Sequence, residues 1–174
     1  MKKVLVLMLA FGLFFNAYAQ NTKIGFTNAD YVLSLMPETK EVESQIAAYE
    51  KQFTNSIQQK YQDFQTKVAE YQQNAPTMTE QVRAQKEQEL QAENQSLQKF
   101  QQDAEQSIVK KQQELYQPLY GKIQTAIDKV AAENGYTHIL RAEALLFISD
   151  EKKGDISDMV LRKLGVEPPA KTEE

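Results

Sequence analysis

One apolar stripe constrains the fold of this 174-residue chain more than any other feature. Its members recur at steps of three or four residues, the spacing of one helix face that packs along another helix: Val42, Ile46, Tyr49, Phe53, Ile57, Tyr61, Phe64, Val68 and Tyr71. Residues 74–76 interrupt the stripe with Asn-Ala-Pro, and a weaker stripe follows between Val82 and Leu115. We therefore predict two long helices, the second starting from a capping box at Thr77 and Glu80.

The two stripes match each other if the chain turns back at Ala75. Positions equally far from Ala75 then face each other, so that Val68 meets Val82 and Phe53 meets Leu97. We predict an antiparallel coiled-coil hairpin, here called the arm, over residues 37–118, with its turn near 74–77 and a length of about 55 Å. Two helices in a compact bundle are the alternative, which we disfavour because few other apolar elements exist to cover them.

The sequence on either side of the arm predicts a small second part, here called the body, from residues 20–36 and 119–167. Short strands are predicted at 23–27 and 136–140, a buried strand at 145–148, and a short helix at 156–164. A sheet of only two or three strands is marginally stable alone. We therefore expect the body to self-associate. The residues predicted for that contact are apolar: Ile24, Phe26, Ile139, Leu140, Leu145 and Phe147. The fold class is thus α+β and mostly α, with a loose tail at 168–174.

Pro118 lies inside the second helical pattern, and Gly121 follows it closely. A proline in a helix interior removes one backbone hydrogen bond and usually bends the helix. We therefore predict that Pro118 and Gly121 form a hinge where the arm joins the body.

The first nineteen residues are typical of a cleaved signal peptide. Lys2 and Lys3 precede an apolar run at 4–15, and Ala-Tyr-Ala at 17–19 fits a cleavage site. The run of about 12 residues is shorter than the roughly 20 needed to span a bilayer as a helix. We predict export to the periplasm and a mature chain beginning at Gln20. An uncleaved membrane anchor is the alternative.

Composition argues against most kinds of chemistry. The chain has no Cys and one His, so a cysteine nucleophile or a typical zinc site is not expected. Its formal net charge of −4 disfavours a nucleic-acid partner. His138 lies on a predicted strand without a catalytic constellation, so we interpret it as structural. We predict no enzyme activity, no cofactor and no metal.

The two ends of the exported chain resemble the Skp (OmpH-like) family of periplasmic outer-membrane-protein chaperones. The matching segments are I-G-F-T-N at 24–28 and E-N-G-Y at 133–136, followed by D-I-S-D-M-V at 155–160. The resemblance implies a homotrimer in which three arms surround a cavity. It also implies that this cavity holds unfolded outer-membrane proteins without ATP.

Aromatic residues on the arm are the candidate contacts for such clients, together with a methionine near its tip: Tyr49, Phe53, Tyr61, Phe64, Tyr71 and Met78. Tyrosine combines an apolar ring with a polar tip, and methionine adapts to varied partners. Alternatively, all of these side chains simply pack between the helices. Residues 41–118 carry 12 Asp and Glu against 8 Lys and Arg, which argues against capturing clients through basic charge.

Two other functions remain open from the sequence. One is a structural or adaptor coiled coil of the cell envelope with a folded partner. The other is a membrane-surface binder, which the acidic charge and the lack of a Lys-rich amphipathic helix disfavour.

Overall fold

The computed structural model describes residues 22–149 and 153–170. The predicted signal peptide lies outside these residues, as does the end of the predicted tail. Two long helices carry most of the described chain, and the remainder forms a small α/β part. In chain order the elements are β1 (Ile24–Thr27), α1 (Ala29–Leu35), α2 (Pro37–Asn74), α3 (Glu80–Asn134), β2 (His138–Arg141) and α4 (Ser157–Lys163), with single 3₁₀ turns at Ala75–Thr77 and Ala142–Ala144.

The predicted mostly α fold with a long antiparallel hairpin is confirmed. α2 and α3 pack along each other and are joined by the 3₁₀ turn. At 38 residues, α2 is about 57 Å long. The supercoiling of the pair stays a prediction.

Local signals explain where the helices begin and end. Asn28 caps α1 by accepting a hydrogen bond from the Tyr31 amide at 2.7 Å. Pro37 occupies the first turn of α2, where its missing N–H leaves no hydrogen bond unmade. Gly135 ends α3 in the left-handed conformation, with φ of 67°. Because α2 begins at Pro37, the connection between α1 and α2 is short.

The predicted capping box of α3 is wrong by two residues. The hydroxyl of Thr79 caps the helix by accepting from the Val82 amide at 3.4 Å, because Ala75–Thr77 forms a separate 3₁₀ turn. The hairpin is therefore centred beyond Ala75. Lys67 and Glu93, which form an ion pair across it, lie 13 residues before and after residue 80.

The sheet pairs β1 with β2 in parallel, so that Ile24 lies opposite His138 and Thr27 lies opposite Arg141. The other edge of β1 is also bonded. The Phe26 amide donates to the Gly154 carbonyl at 2.8 Å, and the Ile156 amide donates to the Phe26 carbonyl at 2.9 Å. β1 is thus the central strand of the body.

The buried strand predicted at 145–148 is wrong. This segment forms neither helix nor strand, and the side chains of Leu146 and Phe147 are 103% and 84% exposed. Its apolar composition favours a strand, but among the described residues the sheet contains only β1 and β2. The predicted helix at 156–164 is confirmed as α4.

One apolar core holds the body together. It is built by α1, α3 and α4, and it also takes in two residues from the start of α2. Each such side chain stabilises the fold by about 1.5–3 kcal/mol when fully buried. The buried members are Val32, Leu33, Met36, Val42, Ile46, Leu119, Ile123, Ala126, Val130, Ile156, Val160 and Leu161. The base of the arm is therefore fixed to the body by shared packing.

α3 runs through Pro118 as one helix, and both Pro118 and Gly121 are exposed. The hinge therefore stays a prediction. Within the described ranges, no helix combines the length and the hydropathy that crossing a membrane requires.

Candidate functional site

Aromatic rings contact one another in the lower half of the arm. The rings of Tyr49 and Phe53 meet edge to face, with centroids 5.1 Å apart. Phe53 also faces Phe100 on α3 at 6.2 Å, and the Lys60 ammonium lies 5.2 Å from the Phe100 ring centre. Such ring pairs add about 0.5–1.5 kcal/mol beyond the area they bury. These rings are half-buried, so each keeps part of its surface in solvent.

The predicted arm residues nearer the tip differ in their exposure. Tyr61 is 52% exposed, whereas Phe64, Tyr71 and Met78 are half-buried. The Tyr71 hydroxyl donates to Glu87 across the hairpin at 2.5 Å, and this hydrogen bond raises the pKa of the tyrosine. Of the predicted set, Tyr61 offers the largest free aromatic surface.

Ion pairs lie on the outside of the arm. Lys67 meets Glu93 across the hairpin at 2.7 Å, and Lys86 meets Glu89 along α3 at 2.6 Å. The hydrogen bond to Glu93 raises the pKa of Lys67, and the one from Lys86 lowers the pKa of Glu89. Exposed pairs of this kind contribute little to stability because solvent screens them, so the packing of Tyr49, Phe53 and Phe100, here called the aromatic seam, matters more for the hairpin.

The body presents a groove of about 800 Å³ between α3 and β2. Tyr120, Ile127 and Ile139 are among the residues that line it, and Asp30 and Arg141 add charge to it. The exposed segment Leu146–Phe147 follows β2 by five residues. A groove with a mixed apolar and charged lining and an exposed apolar segment thus occur in the same small body.

The six residues predicted for self-association fall into two groups. Ile24, Leu140 and Phe147 are exposed, while Phe26, Ile139 and Leu145 are half-buried. His138 is exposed at the start of β2, with Nδ1 3.0 Å from the Thr137 hydroxyl. Among the described residues, no cluster of His, Cys, Asp or Glu could hold a metal ion.

Sequence reasoning missed one apolar surface, on α3 at the base of the arm. Val109, Tyr116 and Tyr120 line one groove on that helix, and Tyr116 also packs against the core of the body. Their spacing of seven and four residues is the signal that could have found them. The Tyr120 hydroxyl donates to Asp30 of α1 at 3.0 Å, and burial together with this carboxylate raises its pKa.

These features define a class of protein: a long helical hairpin with an aromatic seam, carried by a small α/β body whose apolar surface is partly exposed. The family model described as outer membrane protein (OmpH-like) matches residues 23–164. The match covers most of the chain, so the chain belongs to the OmpH-like family.

Relatives and a solved structure agree with this assignment. The chaperone protein Skp of Yersinia enterocolitica is 27% identical over 149 residues, which cover 86% of this chain and 90% of the relative. The chaperone protein Skp of Photorhabdus luminescens is 29% identical, covering 94% and 99% of the two chains. An OmpH-like outer membrane chaperone of Caulobacter crescentus superposes with a TM-score of 0.70 at 16% identity, covering 82% and 83%, and so shares the fold.

Proposed function

We propose that this protein is an ATP-independent periplasmic holdase that binds unfolded outer-membrane proteins and prevents their aggregation. The observation that carries the proposal is the fold itself, a long arm with partly exposed aromatic side chains, in a chain that belongs to the OmpH-like family. Its relatives in Yersinia and Photorhabdus are chaperones. Export through a cleaved signal peptide at residues 1–19 is part of the proposal.

The proposed active form is a homotrimer joined through the body. Leu146 and Phe147 support self-association, because the free energy falls when such exposed apolar side chains are buried away from water. Ile24 and Leu140 add further exposed apolar surface on the two paired strands. Three arms fixed at their bases would then enclose a common space.

Inside that space, the proposed client contacts are the exposed parts of the arm aromatics and Met78. Tyr61 is the strongest of them because it has the most free surface. Tyr49, Phe53, Phe64 and Tyr71 offer ring edges while they hold the hairpin. Weak contacts on three arms together give useful retention without ATP, since linked sites bind more tightly than each one alone.

Aggregation of a urea-denatured outer-membrane barrel, followed by light scattering after dilution, tests the proposal. The chain beginning at Gln20 should suppress aggregation at one trimer per client. Tyr61→Ser should weaken suppression, while Gln62→Ser beside it serves as the matched control. If a several-fold excess of trimer leaves scattering unchanged, the holdase function is refuted.

The half-buried seam aromatics also suit the second candidate, an adaptor coiled coil with one folded partner. This alternative predicts a single saturable partner and no effect on unfolded barrels. Quantitative pull-down from an envelope extract, compared with the scattering assay, distinguishes the two.

A further inference from the structure

The arm has two halves that are held together in different ways. Near the body, buried apolar side chains lie between the two helices, with Val42 and Ile46 on α2 and Leu97 on α3. Farther out, none of the residues 47–96, all of which the structure describes, is buried. We call residues 57–96 the tip half of the arm.

The sequence of α3 explains why the tip half lacks a buried core. Between Val82 and Leu97 the only large apolar residue is Leu90, and most of the other side chains are polar or charged. Phe64 and Val68 of α2 are therefore left half-buried. Because apolar burial is the main favourable term in folding, the two helices gain little free energy by packing together in this half.

Two side-chain contacts join α2 to α3 across the tip half. The Lys67 ammonium donates to both carboxylate oxygens of Glu93, at 2.7 and 2.9 Å. The Tyr71 hydroxyl donates to Glu87 at 2.5 Å. All four side chains are partly exposed, so water can replace either contact when the helices separate. We call these two contacts the clasp.

We propose that the tip half opens as a unit by separation of α2 from α3, while the rest of the arm stays closed and the clasp sets how often it opens. Opening stops at the buried side chains nearer the body, since separating the helices there would expose them to water. Most of the stability of a helix in a protein comes from tertiary packing, so the separated segments also lose backbone hydrogen bonds. This opening is a property of the single chain and requires neither a second copy nor a client.

Amide hydrogen exchange of the chain beginning at Gln20, followed by mass spectrometry of its peptides, measures the opening. We expect the amides of residues 60–73 and 84–95 to exchange at least about tenfold faster than those of residues 42–53 and 104–117. Equal exchange rates in the two halves, or an arm that exchanges throughout at one fast rate, would overturn the inference.

Substitutions in the clasp test its role. Lys67→Gln removes a contact made from α2 and should speed exchange on the opposite helix, at residues 84–95, roughly two- to fivefold. Lys86→Gln is the matched control, because it removes the same charge from the tip half but breaks a pair with Glu89 on its own helix. The control should leave exchange at residues 60–73 unchanged. If the two variants alter exchange on the opposite helix equally, the clasp does not control the opening.

A covalent link across the hairpin supplies a second measurement. The chain contains no Cys, so the double variant Lys67→Cys, Glu93→Cys can be joined specifically by a short bismaleimide. The joined protein should exchange in its tip half as slowly as near the body, whereas the same variant without the linker should exchange at least as fast as wild type. If the linker leaves exchange in the tip half unchanged, separation of the helices is not the motion that exposes these amides, and the inference is wrong.

Discussion

Replacing the two exposed apolar side chains that follow β2 should prevent the proposed self-association. The double variant Leu146→Ser, Phe147→Ser replaces two side chains that are 103% and 84% exposed in the single chain. Because neither side chain belongs to the core of the body, the variant subunit should keep its fold. The effect should appear in association.

The magnitude follows from the exposed surface. Full burial of a leucine or phenylalanine side chain is worth about 1.5–3 kcal/mol, so the pair provides about 3–6 kcal/mol per subunit contact. A factor of ten in an equilibrium constant corresponds to about 1.4 kcal/mol, so each contact should weaken by roughly 10²–10⁴-fold. A protein that is oligomeric at micromolar concentration should then become monomeric in the same range.

Sedimentation velocity of the chain from Gln20, run as a dilution series, measures the change. Val82→Ser is the matched control, because Val82 is 43% exposed but lies near the tip of the arm, far from the body. The control should associate like wild type, and far-ultraviolet circular dichroism should show equal helix content in all three proteins. Equal dissociation of wild type and the double variant would refute the reasoning that these side chains are covered by another subunit.

Three further predictions test the fold and the arm. Gly25→Ala places a methyl group 2.8 Å from a Tyr136 ring carbon and should lower the free energy of unfolding by about 1–3 kcal/mol. Gly121→Ala meets no atom within 4 Å and should raise the free energy of unfolding by about 0.5–1 kcal/mol. Urea unfolding in which both variants change the free energy with the same sign would contradict this expectation. Leu161→Ala empties a fully buried position and should cost about 2–5 kcal/mol by the same measurement, so a cost below 1 kcal/mol would show that the body core is not packed as described. The hydrogen bond to Glu87 raises the pKa of Tyr71 above its usual 10.0. The contribution of this hydrogen bond to stability is therefore complete below pH 10 and is lost as the pH rises through the pKa of the folded state. The tyrosine absorbance of wild type minus that of Tyr71→Phe should show the raised pKa, and Glu87→Gln should remove the shift.

The sequence was most informative where one periodic pattern extended over many residues. The stripe from Val42 to Tyr71 predicted α2, and the interruption at residues 74–76 predicted where this helix ends. These signals are local, because spacing and capping act within a few residues of the chain. They were sufficient for the fold class and for the existence of the hairpin.

The errors had different causes. Thr77 and Thr79 are both possible caps, and only the 3₁₀ turn at Ala75–Thr77 decides between them. The segment at 145–148 has the composition of a strand, yet strand formation needs a neighbouring strand, and within residues 22–149 and 153–170 this segment pairs with none. The surface formed by Val109, Tyr116 and Tyr120 was missed because three apolar residues are too few to form a long stripe.

The parallel pairing of β1 with β2 sets the order in which the molecule can fold. Ile24 lies opposite His138, so 114 residues separate two partners in the central sheet. Closing a loop of that length costs about 4 kcal/mol of chain entropy, whereas zipping the hairpin first brings the two ends together through local contacts. β1 therefore cannot pair until β2, 114 residues further along the chain, is available. A chain that stops after Asn134 can form the hairpin, but it has no second strand with which to complete the sheet.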